Sequence, residues 1–121
     1  MSTIIATTLS NGSVSVPTAT VVNGSAKAWL YYNGVSNTIV GSLNTTSVTD
    51  NATGEFTQNI TNAFADTNGA VTTGKTNEVS NAGNAMSARV ATASTVGIAA
   101  YEDGTKRDSS HNYTMVMGDL A

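Results

Sequence analysis

Hydrophobic and polar positions alternate with a period of two along much of the chain, the period of a strand whose successive side chains face opposite ways. The clearest run places Phe56, Gln58, Ile60, Asn62 and Phe64 on one face, and Thr57, Asn59, Thr61 and Ala63 on the other. A second run begins at Ala26. Ala26, Ala28, Leu30 and Tyr32 share one parity; Lys27, Trp29 and Tyr31 share the other. Large residues on both faces predict a strand with contacts on both sides. Thr38–Val40 and Leu43–Val48 predict a strand with an interruption. Ala70–Thr73, Ala85–Thr92 and Thr95–Tyr101 predict three more. Asn112–Met117 predicts the last, with Tyr113, Met115 and Met117 on one face. No segment holds a helical period over about eleven residues without Gly or Asn breaking it, so no helix is predicted.

Turn signals separate these runs. Asn23-Gly24, Asn33-Gly34, Asp50–Gly54, Asp66–Gly69 and Glu102–Thr105 are each rich in residues that favour tight turns, and Lys106–Ser110 extends the last. Gly74–Asn84 reads as a loop. Strands spaced at roughly 8–12 residues, with turns between them, predict a sandwich or a barrel. Met1–Val22 is different. Its apolar residues alternate only in short bursts, such as Val14 and Val16, and Pro17 marks an edge or a break. This segment reads as an arm.

Composition sharpens that picture. At 121 residues the chain makes one domain plus a short arm. Its 40% apolar fraction leans on alanine and valine, with one tryptophan and two phenylalanines, so the core is lean. Association with further copies is then a natural source of burial. Charged residues make up only 11%, against about 25% in a typical soluble domain. Ser, Thr and Asn take their place, and solubility rests on hydroxyls and amides. The net charge is −3 and the basic residues are scattered, so no stripe is available to neutralise phosphates and nucleic acid is not an expected partner. No apolar run approaches the ~20 residues of a membrane span, and no membrane insertion is expected. The start of the chain lacks the basic residues and long apolar stretch of a secretory signal.

Several motifs invite chemistry. Gly69-Ala70-Val71-Thr72-Thr73-Gly74-Lys75-Thr76 fits a phosphate-binding loop letter for letter. Such a loop needs a helix after it, and the Asn- and Gly-rich residues that follow are poor helix formers, so a plain loop is expected. Asp108, Ser109, Ser110 and the only histidine, His111, hold the residue types of a nucleophilic relay, but sequence neighbours seldom supply its geometry, and a polar turn is expected. Asp66-Thr67-Asn68-Gly69 resembles the start of a calcium loop yet lacks the later ligands. Trp29, Tyr31 and Tyr32 are suited to stacking on sugar faces, although core or subunit packing is the favoured expectation. No catalytic residue, cofactor site or metal site is expected.

The stretch Ala26-Lys27-Ala28-Trp29-Leu30-Tyr31-Tyr32-Asn33-Gly34, followed by Ser47-Val48-Thr49-Asp50-Asn51-Ala52-Thr53-Gly54-Glu55-Phe56-Thr57, resembles a domain of tail-fibre-type proteins of tailed bacteriophages. Asp66-Thr67-Asn68-Gly69-Ala70-Val71 and Met115-Val116-Met117-Gly118 resemble later parts of that domain. The likeness spans residues 26–119, with Gly69 where the family has Tyr and Met117 where it has Phe. The resemblance implies a non-enzymatic virion structural protein, usually a homotrimer, with the virion as its location. Its implied partners are further copies of itself, other virion proteins (tail or major capsid protein) and a host-surface glycan or protein. A capsid decoration or head-fibre role is the alternative, favoured by the shortness of the arm. The expected architecture is thus an all-β antiparallel sandwich, jelly-roll-like and trimeric. Residues 1–25 form an arm for assembly or anchoring and residues 26–121 the sandwich. Ile4, Ile5, Val14 and Val16 are the expected subunit interface.

Overall fold

The computed structural model describes residues 2–76 and 84–121. The elements in chain order are β1 (Thr8–Ser10), β2 (Ser15–Pro17), α1 (Thr18–Gly24), β3 (Ala26–Asn33), β4 (Thr38–Leu43), β5 (Thr45–Ala52), β6 (Glu55–Ile60), β7 (Ala70–Thr76), β8 (Asn84–Thr92), β9 (Thr95–Glu102), β10 (Thr105–Lys106) and β11 (His111–Met117). The expected all-β sandwich is what forms. One antiparallel sheet has the order β4-β3-β11-β7. The other runs β5-β6-β9, with β8 on the far side of β9 and the two-residue β10 prolonging the line of β6.

The inner faces of the two sheets make one core. Ala28, Leu30 and Tyr32 of β3 and Val116 of β11 face Phe56 and Ile60 of β6, Val90 of β8, and Val96 and Ile98 of β9. The period of two chooses these residues, and burial of each large one is worth roughly 1.5–3 kcal/mol. Gln58 has an inward parity and is fully buried. Its Nε2 donates to Thr45 Oγ1 at 2.8 Å, and its Oε1 accepts from Thr114 Oγ1 at 2.8 Å, so the amide bridges the sheets without an orphaned atom.

The interruption expected at residues 41–42 falls instead at Asn44, where the chain crosses between the sheets; Gly41 and Ser42 are strand. Asn44 sits at φ +53°, a left-handed conformation that asparagine tolerates better than most residues. Its Oδ1 accepts from Asn62 N at 2.7 Å and its Nδ2 donates to Asn62 O at 3.1 Å. The chain thus leaves β4 and enters β5 with its corner pinned.

Four local expectations are corrected. Thr18–Gly24 is a short helix; Pro17 stands at its N-terminus with φ −58°, and Asn23-Gly24 is its last turn and not a separate one. Gly74, Lys75 and Thr76 are strand, because Ala70–Thr76 pairs residue for residue with Met117–His111. Asn84 likewise opens β8, while residues 77–83 of the expected loop lie outside the described residues. The hairpin predicted at Asp50–Gly54 tightens to Thr53-Gly54, and Asn51 is a bulge in β5. The long alternation from Phe56 ends at Ile60: Asn62 is exposed, whereas Phe64 is buried through a bridge to Leu120.

The strand directions give the sandwich two distinct ends. The arm enters at Ala26, which lies beside Met117 and Ala70. The opposite end carries the turn after Asn33, the β5–β6 hairpin and the loop from Asp103 to Ser110. That far end is tied together by polar contacts: Tyr32 Oη donates to Asn37 Oδ1 at 2.8 Å, Asn37 Nδ2 to Asp50 Oδ2 at 3.0 Å, and Gly54 N to Asp108 Oδ1 at 2.7 Å.

Candidate functional site

The outer face of the β4-β3-β11-β7 sheet is the feature that calls for a function. Trp29 and Tyr31 project from β3, and Tyr113 and Met115 from the neighbouring β11, directly opposite them in register. Tyr31 and Tyr113 stack with ring centroids 4.7 Å apart, and His111 stacks on Tyr31 at 5.9 Å. Gly41 of β4 gives Trp29 its place: a Cβ there would stand 3.3 Å from the indole. On the other side, Thr72 and Gly74 of β7 leave a low margin. The result is an open groove of about 480 Å³ between Trp29, Tyr31, Tyr113 and Met115. Trp29 remains 39% exposed and Met115 48%.

Among the described residues no Asp, Glu, Lys or Arg lines this groove. The sheet's two lysines both turn elsewhere. Lys27 Nζ donates to carbonyls at the C-terminal end of α1, Val22 O and Ser25 O, where the helix dipole favours a cation. Lys75 Nζ points between the sheets and donates to Tyr101 O at 2.9 Å; burial pulls its pKa below the ordinary lysine value, partly offset by Glu102. The phosphate-loop motif therefore lies on a paired strand. Its backbone N–H groups alternate in direction and cannot converge on a phosphate, and its lysine serves the sheet.

The arm holds the expected interface residues. Ile4 and Ile5 are each 93% exposed and Val14 is 69% exposed, while Val16 is half-buried against Leu9 across the β1–β2 hairpin. Among the described residues the arm carries no other extensive contact to the sandwich than the connection through α1.

The remaining candidates have local jobs. Ser110 Oγ lies 2.8 Å from His111 Nδ1, but Asp108 faces the opposite way onto Gly54 N, and Ser109 Oγ donates to Thr76 O at 3.0 Å. Asp66 accepts from Asn68 N and Asn68 Nδ2 in a closed turn. Among the described residues no three acids or histidines converge as metal ligands, and no helix is long and apolar enough to cross a membrane. Tyr32, grouped with Trp29 and Tyr31 in the sequence, is core. Tyr113 and Met115 were visible as one strand face, but nothing in the sequence placed them beside Trp29 and Tyr31.

No protein-family model, curated protein or solved structure matches the chain.

Proposed function

We propose that the chain is a non-enzymatic structural subunit of a tailed-bacteriophage virion, a homotrimeric fibre or spike component that contacts the host surface. The observation that carries this is the polarity of the molecule. An uncharged arm with solvent-facing Ile4, Ile5 and Val14 leaves one end of the sandwich. The loops and strand ends at the other end carry Asp50, Glu55, Glu102, Asp103, Lys106, Arg107 and Asp108. Apolar side chains held in water without a partner are the mark of an assembly element. Charged, hydroxyl-rich loops on a rigid scaffold are suited to meeting a polar exterior. The resemblance of residues 26–119 to tail-fibre-type domains points the same way.

Particles assembled without the chain test the proposal. Loss of adsorption to host cells, restored by adding purified protein during assembly, is the expected result. Unaltered adsorption with heads that burst on mild heating would replace it with the capsid-decoration role. Particles with normal adsorption and normal heads would sink both.

A further inference from the structure

We infer that the aromatic groove on the β4-β3-β11-β7 sheet is the seat for the N-terminal arm of a second copy of this chain. The inference rests on the reading of the chain as an assembling subunit and names the surfaces that assemble. Two apolar features lie in solvent in one molecule: the groove of Trp29, Tyr31, Tyr113 and Met115, and the arm with Ile4, Ile5, Leu9 and Val14. They match in charge. Residues 2–25 contain no Asp, Glu, Lys or Arg, and none lines the groove. Acids and bases crowd instead at the far end and on the other sheet, where Arg89 and Glu55 flank the corresponding surface.

The match in shape is equally specific. The groove is bounded on the β7 side by Gly74, beside Tyr113, which keeps that strand low enough for a chain to lie along the rings; on the β4 side the Trp29 indole, lying over Gly41, forms the wall. The arm offers the β-branched side chains Ile4, Ile5 and Val14, with Leu9 and Val16 paired on one face of its hairpin. Among the described residues its own sandwich makes no extensive contact with it. Lys27 grips the end of α1 through Val22 O, Ser25 O and Ser25 Oγ at the point where the arm leaves. A second copy covers both features with one contact.

The surfaces narrow the symmetry. Arm on groove joins two different patches, so the contact closes either as a reciprocal exchange between two copies or as a ring; the trimer of the proposed function selects the ring. A ring of three has three times the 12.3 kDa chain mass.

The absence of cysteine makes a clean test possible. One batch carries Ile5→Cys or Val14→Cys; a second, distinguishable by mass label, carries Met115→Cys. All three sites are exposed, so the substitutions leave the core intact. The mixed proteins are treated with a short bis-maleimide. The expected product is a cross-link between an arm batch and the groove batch, several-fold more abundant than either like-with-like product. In parallel, Trp29, the only tryptophan, shifts its emission to the blue as full-length protein is concentrated and light scattering rises to three chain masses. Predominant arm–arm or groove–groove cross-links would overturn the inference, as would a monomer at 100 µM or association that leaves Trp29 emission unmoved; two chain masses with the arm–groove cross-link would keep the seat and replace the ring with a reciprocal pair. A monomer whose Trp29 emission shifts only on adding saccharides would assign the groove to a glycan instead. Normal adsorption and normal heads in particles lacking the chain, with the arm–groove cross-link intact, would remove the virion role and leave the self-assembly standing.

Discussion

The two outer faces of the sandwich are built from the same fold and solve opposite problems. On the β5-β6-β9-β8 side, hydroxyls and amides that satisfy one another share the outward face with Glu55 and Arg89. Asn59 Nδ2 donates to Ser47 Oγ and Thr49 Oγ1, each at 3.0 Å, Asn51 Nδ2 to Thr57 Oγ1 at 2.8 Å, and Thr46 and Thr61 share a bond of 3.0 Å. That face is finished in water. On the β4-β3-β11-β7 side the outward residues are aromatic rings and a thioether with little polar to offer. The contrast shows that alternation along a strand does not mean core inside and solvent outside. It means two faces, each of which must meet something.

The largest test of that contrast lies within one pair of neighbouring strands. Leu30→Ala, at an inward position only 2% exposed, is expected to cost about 3 kcal/mol of stability. Met115→Ala, on the outward side of the adjoining strand, is expected to cost under about 0.5 kcal/mol in the monomer. Urea unfolding at concentrations low enough to keep single chains measures both. Equal costs would mean that the chain covers the groove itself.

The glycines of the two faces give the next effect. Gly41→Val puts a Cβ 3.3 Å from the Trp29 indole, and the ring must move; a loss of about 1–2 kcal/mol is expected together with a changed Trp29 emission. Gly97→Val, on the hydroxyl-rich face, meets only the Cβ of Ala91 at 3.8 Å and replaces a poor strand former with a good one. It is expected to leave thermal stability unchanged or raised by a few tenths of a kcal/mol. A loss at position 97 as large as that at 41 would erase the distinction.

The smallest effect separates two adjacent tyrosines. Burial, reinforced by Asp50 and Asp108, raises the Tyr32 pKa above the ordinary 10.0. The unfolded chain therefore releases this proton first as the pH climbs. The contribution of Tyr32 is fully present below pH 10 and is lost as the pH rises from there through the folded-state pKa. Tyr32→Phe removes that part of the alkaline loss and, through the bond to Asn37, costs about 1 kcal/mol at neutral pH. Tyr31→Phe costs under about 0.5 kcal/mol. Unfolding midpoints between pH 8 and 11 read the difference, and the same slope in both variants would contradict it.

Most strands were legible because the side-chain period is local. Phe56, Gln58 and Ile60 announce their inward face without help from the rest of the fold. Gly74–Thr76 did not, because its residues favour turns and become strand only through pairing with the edge of β11, about forty residues away. The helix Thr18–Gly24 was missed for the same kind of reason: two turns of Thr, Ala, Val and Asn give no sustained period, and only Pro17 hints at a start. The groove was half legible. Each strand disclosed its own face, Trp29 with Tyr31 and Tyr113 with Met115. That they form one surface depends on β3 lying next to β11, a fact about topology that no local pattern carries.

Gly54 sets a boundary on change at the far end. It stands at φ +69°, its N–H serves Asp108, its carbonyl accepts from Ala100 N at 2.8 Å, and a Cβ would lie 2.5 Å from Arg107 N and 2.7 Å from Ala100 O. Backbone, not a movable side chain, closes on it from two directions. In evolutionary terms, position 54 is a fixed point. Nearby Ser36, exposed in its turn, can be exchanged without disturbing that clamp. Selection for new surface properties at this end has to work around Gly54.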